Sequence, residues 1–197
     1  MTPDEALDRL RQGNLNFLND TPIRPPLDRA SRLQLAAGQQ PFAAYVSCSD
    51  SRVPPELLFG RGLGELFIIR NAGNTVDTAA MGSLEFAVGV LKVPLIVVMG
   101  HEGCGAVKAA VSVVRDNARF PGNIGKMIQP ILPAVLEASH GGQTSMEAAV
   151  RQNVRRVVRE LCEEASPILL QPQALGTLKI VGAYYHLGSG EVDFFDT

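Results

Sequence analysis

Cysteine is scarce in this chain: there are three in 197 residues, an odd number. None forms a Cys-x-x-Cys pair. A disulfide framework is thereby excluded, and reduced thiols fit an expected cytoplasmic location. An excess of basic charge is also missing. The net charge is −2 and the pI is near 5.9, so the chain carries no electrostatic footprint for nucleic acid or an anionic membrane. The one basic cluster, Arg151, Arg155, Arg156 and Arg159, has helical spacing among apolar residues and reads as a solvated helix face. No apolar run reaches the roughly 20 residues of a membrane span. The start, Met-Thr-Pro-Asp-Glu, lacks the positive and apolar regions of a secretory signal. Repeats and low-complexity tracts are absent too.

What is present is an apolar fraction of 46%, enough for one sizeable core, so residues 1–197 are expected to form a single domain. Residues 1–40 read as an N-terminal helical arm and 41–197 as an α/β core. Thr2 and Glu5 can form a capping box at the start of an amphipathic helix over 3–18. Asn19–Pro26 reads as a linker, and Asp28 to Ala37 as a short helix. The apolar face of helix 3–18 has no obvious place within the chain, which points to a dimer. From Pro41 strands alternate with helices: strands at Phe42–Ser47, Glu65–Arg70 and Val93–Met99, helices at Pro54–Phe59, Thr78–Val90 and Cys104–Val114. Two longer helices are expected over Gly122–Ala138 and Ser145–Glu164, the second opened by a Thr144/Glu147 capping box. A final strand, Thr177–His186, pairs as a hairpin with Glu191–Phe195 through Gly188-Ser-Gly190. This alternation predicts a mainly parallel sheet, order 2-1-3 plus the C-terminal strands, flanked by helices. Its switch point lies at the carboxyl ends of strands one and three.

Two short stretches leave those ends, Cys48-Ser-Asp50-Ser-Arg52-Val53 and Gly100-His101-Glu-Gly-Cys104-Gly105. Two thiolates and one imidazole can hold zinc with its fourth position open, the pattern of a catalytic site. Cys104 falls at a helix N-terminus, which favours its thiolate. Asp50 and Arg52, two apart in an extended loop, suit a paired carboxylate and guanidinium. Beside zinc, Asp50 can accept the proton of a zinc-bound hydroxide and aim its lone pair, while Arg52 keeps Asp50 ionised. Glu102 is expected to face away from the metal. Cys162 reads as core, and His140 and His186 as residues outside the ligand set. Gly60-Arg61-Gly62-Leu63-Gly64 lacks the Lys-Ser/Thr that a phosphate cradle needs.

Taken with Phe67-Ile-Ile-Arg70-Asn71-Ala-Gly73-Asn74, these two stretches resemble the β-class carbonic anhydrases, in order and spacing from about Pro41 to Val111. The resemblance implies reversible hydration of carbon dioxide to bicarbonate and a proton. It implies one zinc ion per chain held by Cys48, His101 and Cys104, with Asp50 and Arg52 as a catalytic dyad. It further implies a homodimer or a tetramer built as a dimer of dimers, the N-terminal helices embracing the partner. One subgroup of the family closes its site by turning the aspartate onto zinc as a fourth ligand, coupled to a regulatory bicarbonate pocket. Val53, Glu56, Arg70 and Tyr185 fall at that subgroup's positions, and Tyr45 replaces its tryptophan. Such closure is expected at low pH, through protonation of Glu56. The alternatives are a carbon disulfide or carbonyl sulfide hydrolase on the same scaffold, and an inactive bicarbonate sensor permanently closed by Asp50.

Overall fold

In a computed structural model, residues 1–21, 23, 25–139 and 145–195 are described. Five strands form one sheet: β1 Ala43–Ser47, β2 Leu66–Arg70, β3 Leu95–His101, β4 Lys179–Tyr185 and β5 Val192–Phe195. Their spatial order is β2-β1-β3-β4-β5. The first four are parallel, and β5 runs antiparallel against β4. Every residue of β1 and β3 is buried, because helices cover both faces of a parallel sheet and leave no solvated side. Strand β3 runs two residues past the expected end at Met99. Gly100 and His101 keep pairing, with Tyr184 and Tyr185, so His101 is held by the sheet and not by a turn.

The helices are α1 Pro3–Leu18, α2 Arg29–Leu35, α3 Pro55–Leu58, α4 Thr78–Gly89, α5 Gly105–Asp116, α6 Asn123–Ile128, α7 Leu132–Ala138, α8 Met146–Arg159 and α9 Pro167–Ala174. The capping box of α1 is present, with Thr2 and Glu5 each accepting from the other's backbone N–H. This helix does find an intrachain place. Ala6, Leu7 and Leu10 are buried, and the Asn14 side chain donates to Gly190 O and accepts from Val192 N–H. Helix docking therefore does not by itself require a partner.

The expected helix 122–138 is broken into α6, a 3₁₀ turn at Gln129–Ile131 and α7. Pro130 and Pro133 lack the N–H donors that an unbroken ladder needs. Helix α8 is capped by Ser145, whose hydroxyl accepts from Ala148 N–H; Thr144 lies outside the described residues. Beyond α8 a π-turn covers Glu160–Glu164, and it leaves Cys162 exposed, not in the core. Of the arginines of α8, Arg155 and Arg159 are exposed while Arg151 and Arg156 are half-buried. Arg151 stacks 4.4 Å over Tyr184 and pairs with Glu147 and Asp193, and Arg155 lies over Phe195.

A candidate metal centre at the sheet switch point

Cys48 follows β1, His101 ends β3 and Cys104 caps the N-terminus of α5. Because β1 and β3 are neighbours, their carboxyl ends bring together residues distant in sequence. The two Sγ atoms and a ring nitrogen of His101 lie within 4.8 Å of one another, and all three residues are buried. The sulfurs are 3.9 Å apart.

His101 is prepared as a donor. Its Nδ1 lies 2.9 Å from the carbonyl of Glu102. A carbonyl only accepts, so Nδ1 carries the proton and Nε2 presents its lone pair. That Nε2 is buried and has no hydrogen-bond partner. A buried nitrogen without a partner is costly, and a metal ion satisfies it. The Cys104 thiol donating toward Cys48 holds the Cys48 thiol down at about 4, helped by His101 and the N–H of Gly73. The same contact and burial push Cys104 upward. Without a metal the two sulfurs share one proton, and a divalent cation displaces it by binding both thiolates. Two sulfurs and one imidazole suit zinc, and three protein donors leave a fourth position open.

Asp50 and Arg52 form a bidentate pair. Arg52 donates from Nε to Oδ1 (2.9 Å), from Nη2 to Oδ2 (2.8 Å) and from its backbone N–H to Oδ1 (3.0 Å). The Arg52 guanidinium holds the Asp50 carboxyl well below the usual carboxylate range, despite opposing desolvation. Asp50 Oδ2 is 3.9 Å from His101 Nε2, so the carboxylate borders the donor set. Arg70 donates to the carbonyls of Cys48 and Asp50 and braces the loop that carries both.

Arg70 thus serves this loop, and it makes no ion pair with Glu56 among the described residues. Glu56 is exposed and lines a groove with Leu57 and Arg61. Val53 is fully buried, Tyr45 is buried with its hydroxyl donating to the Met99 sulfur, and Tyr185 pairs with His101 across β3 and β4. Glu102 accepts from Leu187 N–H, and Arg61 is spent on the carbonyls of Phe59 and Arg9. His186 pairs with Asp193 instead of joining the three donors; His140 lies outside the described residues. One contributor has no role in the sequence reading: Asn153 of α8, whose side chain holds the Gly73 carbonyl beside Cys48. Its signal is a lone amide in the otherwise apolar stripe Ala149, Val150, Val154, Val157.

Residues 43–192 match the family model described as carbonic anhydrase. A carbonic anhydrase of Mycolicibacterium smegmatis is 39% identical over 191 residues, 97% of this chain and 92% of that protein. Carbonic anhydrase 2 of Mycobacterium tuberculosis is 39% identical over 188 residues, 95% of this chain and 90% of the relative. In structure, a tetrameric β-carbonic anhydrase of the ascomycete Sordaria macrospora superimposes with a TM-score of 0.77 at 26% identity, over 84% of this chain and 86% of that one.

Proposed function

The chain belongs to the β-class carbonic anhydrases, and from that premise we propose that it hydrates carbon dioxide reversibly to bicarbonate and a proton. In this reading zinc is held by Cys48, His101 and Cys104, and Asp50 and Arg52 work beside it. The observation that carries it is the buried, unpartnered Nε2 of His101, set among two sulfurs and 3.9 Å from an ionised carboxylate.

Zinc held there supplies the Lewis acidity that makes water a nucleophile near neutral pH. The chain supplies direction. Asp50 accepts a hydrogen bond from the attacking oxygen and so turns that oxygen's lone pair toward the carbon of carbon dioxide. Arg52 keeps Asp50 charged and fixed, so the acceptor loses no time to reorientation. Both Asp50 oxygens are engaged by Arg52, which favours Asp50 as a fixed hydrogen-bond acceptor over Asp50 as a fourth metal ligand. Bicarbonate regulation through Val53, Glu56, Arg70, Tyr185 and Tyr45 has less support, since Arg70 is committed to the Cys48–Asp50 loop.

We take residues 1–197 as one domain, assembled as a dimer or tetramer and located in the cytoplasm. No helix among the described residues is long and apolar enough to cross a membrane. The test is stopped-flow hydration of carbon dioxide by protein assayed for zinc, at pH 7 and near pH 9. Rapid hydration with one zinc per chain is expected. Bound zinc without hydration at either pH would overturn the activity.

A further inference from the structure

We propose that Asn153 is a positioning residue for the metal centre, acting through Gly73 on Cys48. The proposal rests on the zinc reading above. Asn153 is 2% exposed on the buried face of α8, and its Nδ2 donates to Gly73 O at 2.9 Å. On the other side of the same Cα, the N–H of Gly73 donates to Cys48 Sγ at 3.4 Å. Gly73 lies at φ 74°, ψ 24°, and the next residue, Asn74, is also left-handed at φ 47°. Glycine adopts that region freely, whereas Asn74 persists there only where its surroundings hold it. A side chain at position 73 is barred as well, because a Cβ would stand 2.6 Å from Ile131 Cδ1 and 2.9 Å from Ala106 Cβ.

The turn is tied from three directions. Asn71 N–H donates to Ser47 O, the Asn71 side chain donates to Thr75 O, and Asn153 reaches across from α8. The first comes from the neighbouring strand β1, the second from within the turn, and the last from a side chain of helix α8. By fixing the Gly73 carbonyl, Asn153 fixes the rotation about Gly73 and so the aim of its N–H at the sulfur. An N–H donor draws electron density from a thiolate, and a thiolate that donates less leaves its metal a stronger Lewis acid. At a centre with two thiolates, this offsets part of the charge that the ligands supply.

The experiment compares Asn153→Ala and Asn153→Asp with Val158→Ala. Val158 is fully buried on the same helix, in the apolar cluster that does not include Cys48 or Cys104, so its variant reports a loss of packing. Zinc affinity is measured by chelator competition, and the thiolate-to-metal absorption band is read on cobalt-substituted protein. Both Asn153 variants are expected to lose about 10- to 100-fold in zinc affinity and to shift the cobalt band, whereas Val158→Ala keeps both. Equal behaviour of the three variants would overturn the proposal. Should the Asn153 variants not fold, the wild type decides: with cadmium-113 bound, the Gly73 amide proton is expected to couple to the metal through the sulfur, and its absence would overturn the proposal. Failure of wild-type protein to bind zinc would instead remove the metal reading itself.

Discussion

Asp50 receives three donors from Arg52 while standing 3.9 Å from the nitrogen His101 offers to a metal. Its charge is therefore fixed by a neighbour that takes no part in the donor set, which separates two effects that variants can test. In the proposed mechanism, removing the carboxylate removes the hydrogen-bond acceptor that aims the attacking oxygen but none of the three donors. Asp50→Ala is expected to lower kcat/KM for hydration by roughly 10²-fold or more, the cost of misaligning a reacting group, with one zinc per chain retained by metal analysis. Zinc lost together with activity would show that Asp50 holds the metal. Arg52→Ala acts on pH. The folded carboxyl sits below its ordinary value of about 3.9, so its charge persists through mildly acid solution and is lost only as pH falls further. Without Arg52 that loss moves up toward the ordinary value. The variant's activity near pH 4, relative to pH 8, should fall further than the wild type's; parallel pH profiles would remove Arg52 from the role of keeping Asp50 ionised.

Helix α8 reaches both sides of the donor set, holding Gly73, whose N–H meets Cys48, through Asn153 and packing on Gly100 just before His101. A Cβ on Gly100 would lie 2.5 Å from Val150 Cγ1 and 2.9 Å from Val154 Cγ2. Both side chains are β-branched and stiff on a helix, so α8 itself would have to retreat. Gly100→Ala is expected to destabilise by about 1–3 kcal/mol, as overpacking does, read from the urea midpoint, and to weaken zinc binding. An unchanged midpoint would show that α8 is free to shift. This role of α8 is hard to read in sequence, because a contact between helix and strand depends on packing and leaves no spacing signature. That Cys48, His101 and Cys104 converge was legible because Cys48 and His101 lie at the ends of β1 and β3, which continuous apolar runs announce, and Cys104 follows at the start of α5. Helix α9 was not legible: Pro167 opens it, Pro172 lies inside it, and its apolar residues mark no single face. The docking of α1 was hidden for a related reason. Its polar anchor, Asn14, bonds to backbone at Gly190 and Val192, far along the chain.

At the scale of the whole molecule, one flank remains apolar. Leu27, Leu33, Leu57 and Leu63 are each more than half exposed. Leu27, Leu57 and Leu63 border a groove of about 660 Å³ with Ile23, Pro25 and Leu66. Leu66 belongs to β2, the outermost strand on that side. An edge strand beside an exposed apolar groove is a pairing hazard that a monomer has to cover. Strand β2 contains no proline that would block such pairing. A second copy presenting the same edge and the same leucines would cover both at once, as a two-fold interface does. Wild-type protein is therefore expected to run as a dimer or tetramer in light scattering, with a thermal midpoint that rises with concentration. Leu57→Asp with Leu63→Asp places two charges in that face and should shift the population to monomer. The donor set lies at the strand ends, so zinc content should survive the change. A wild type that scatters as a fully active monomer would mean that the apolar flank serves something other than self-association.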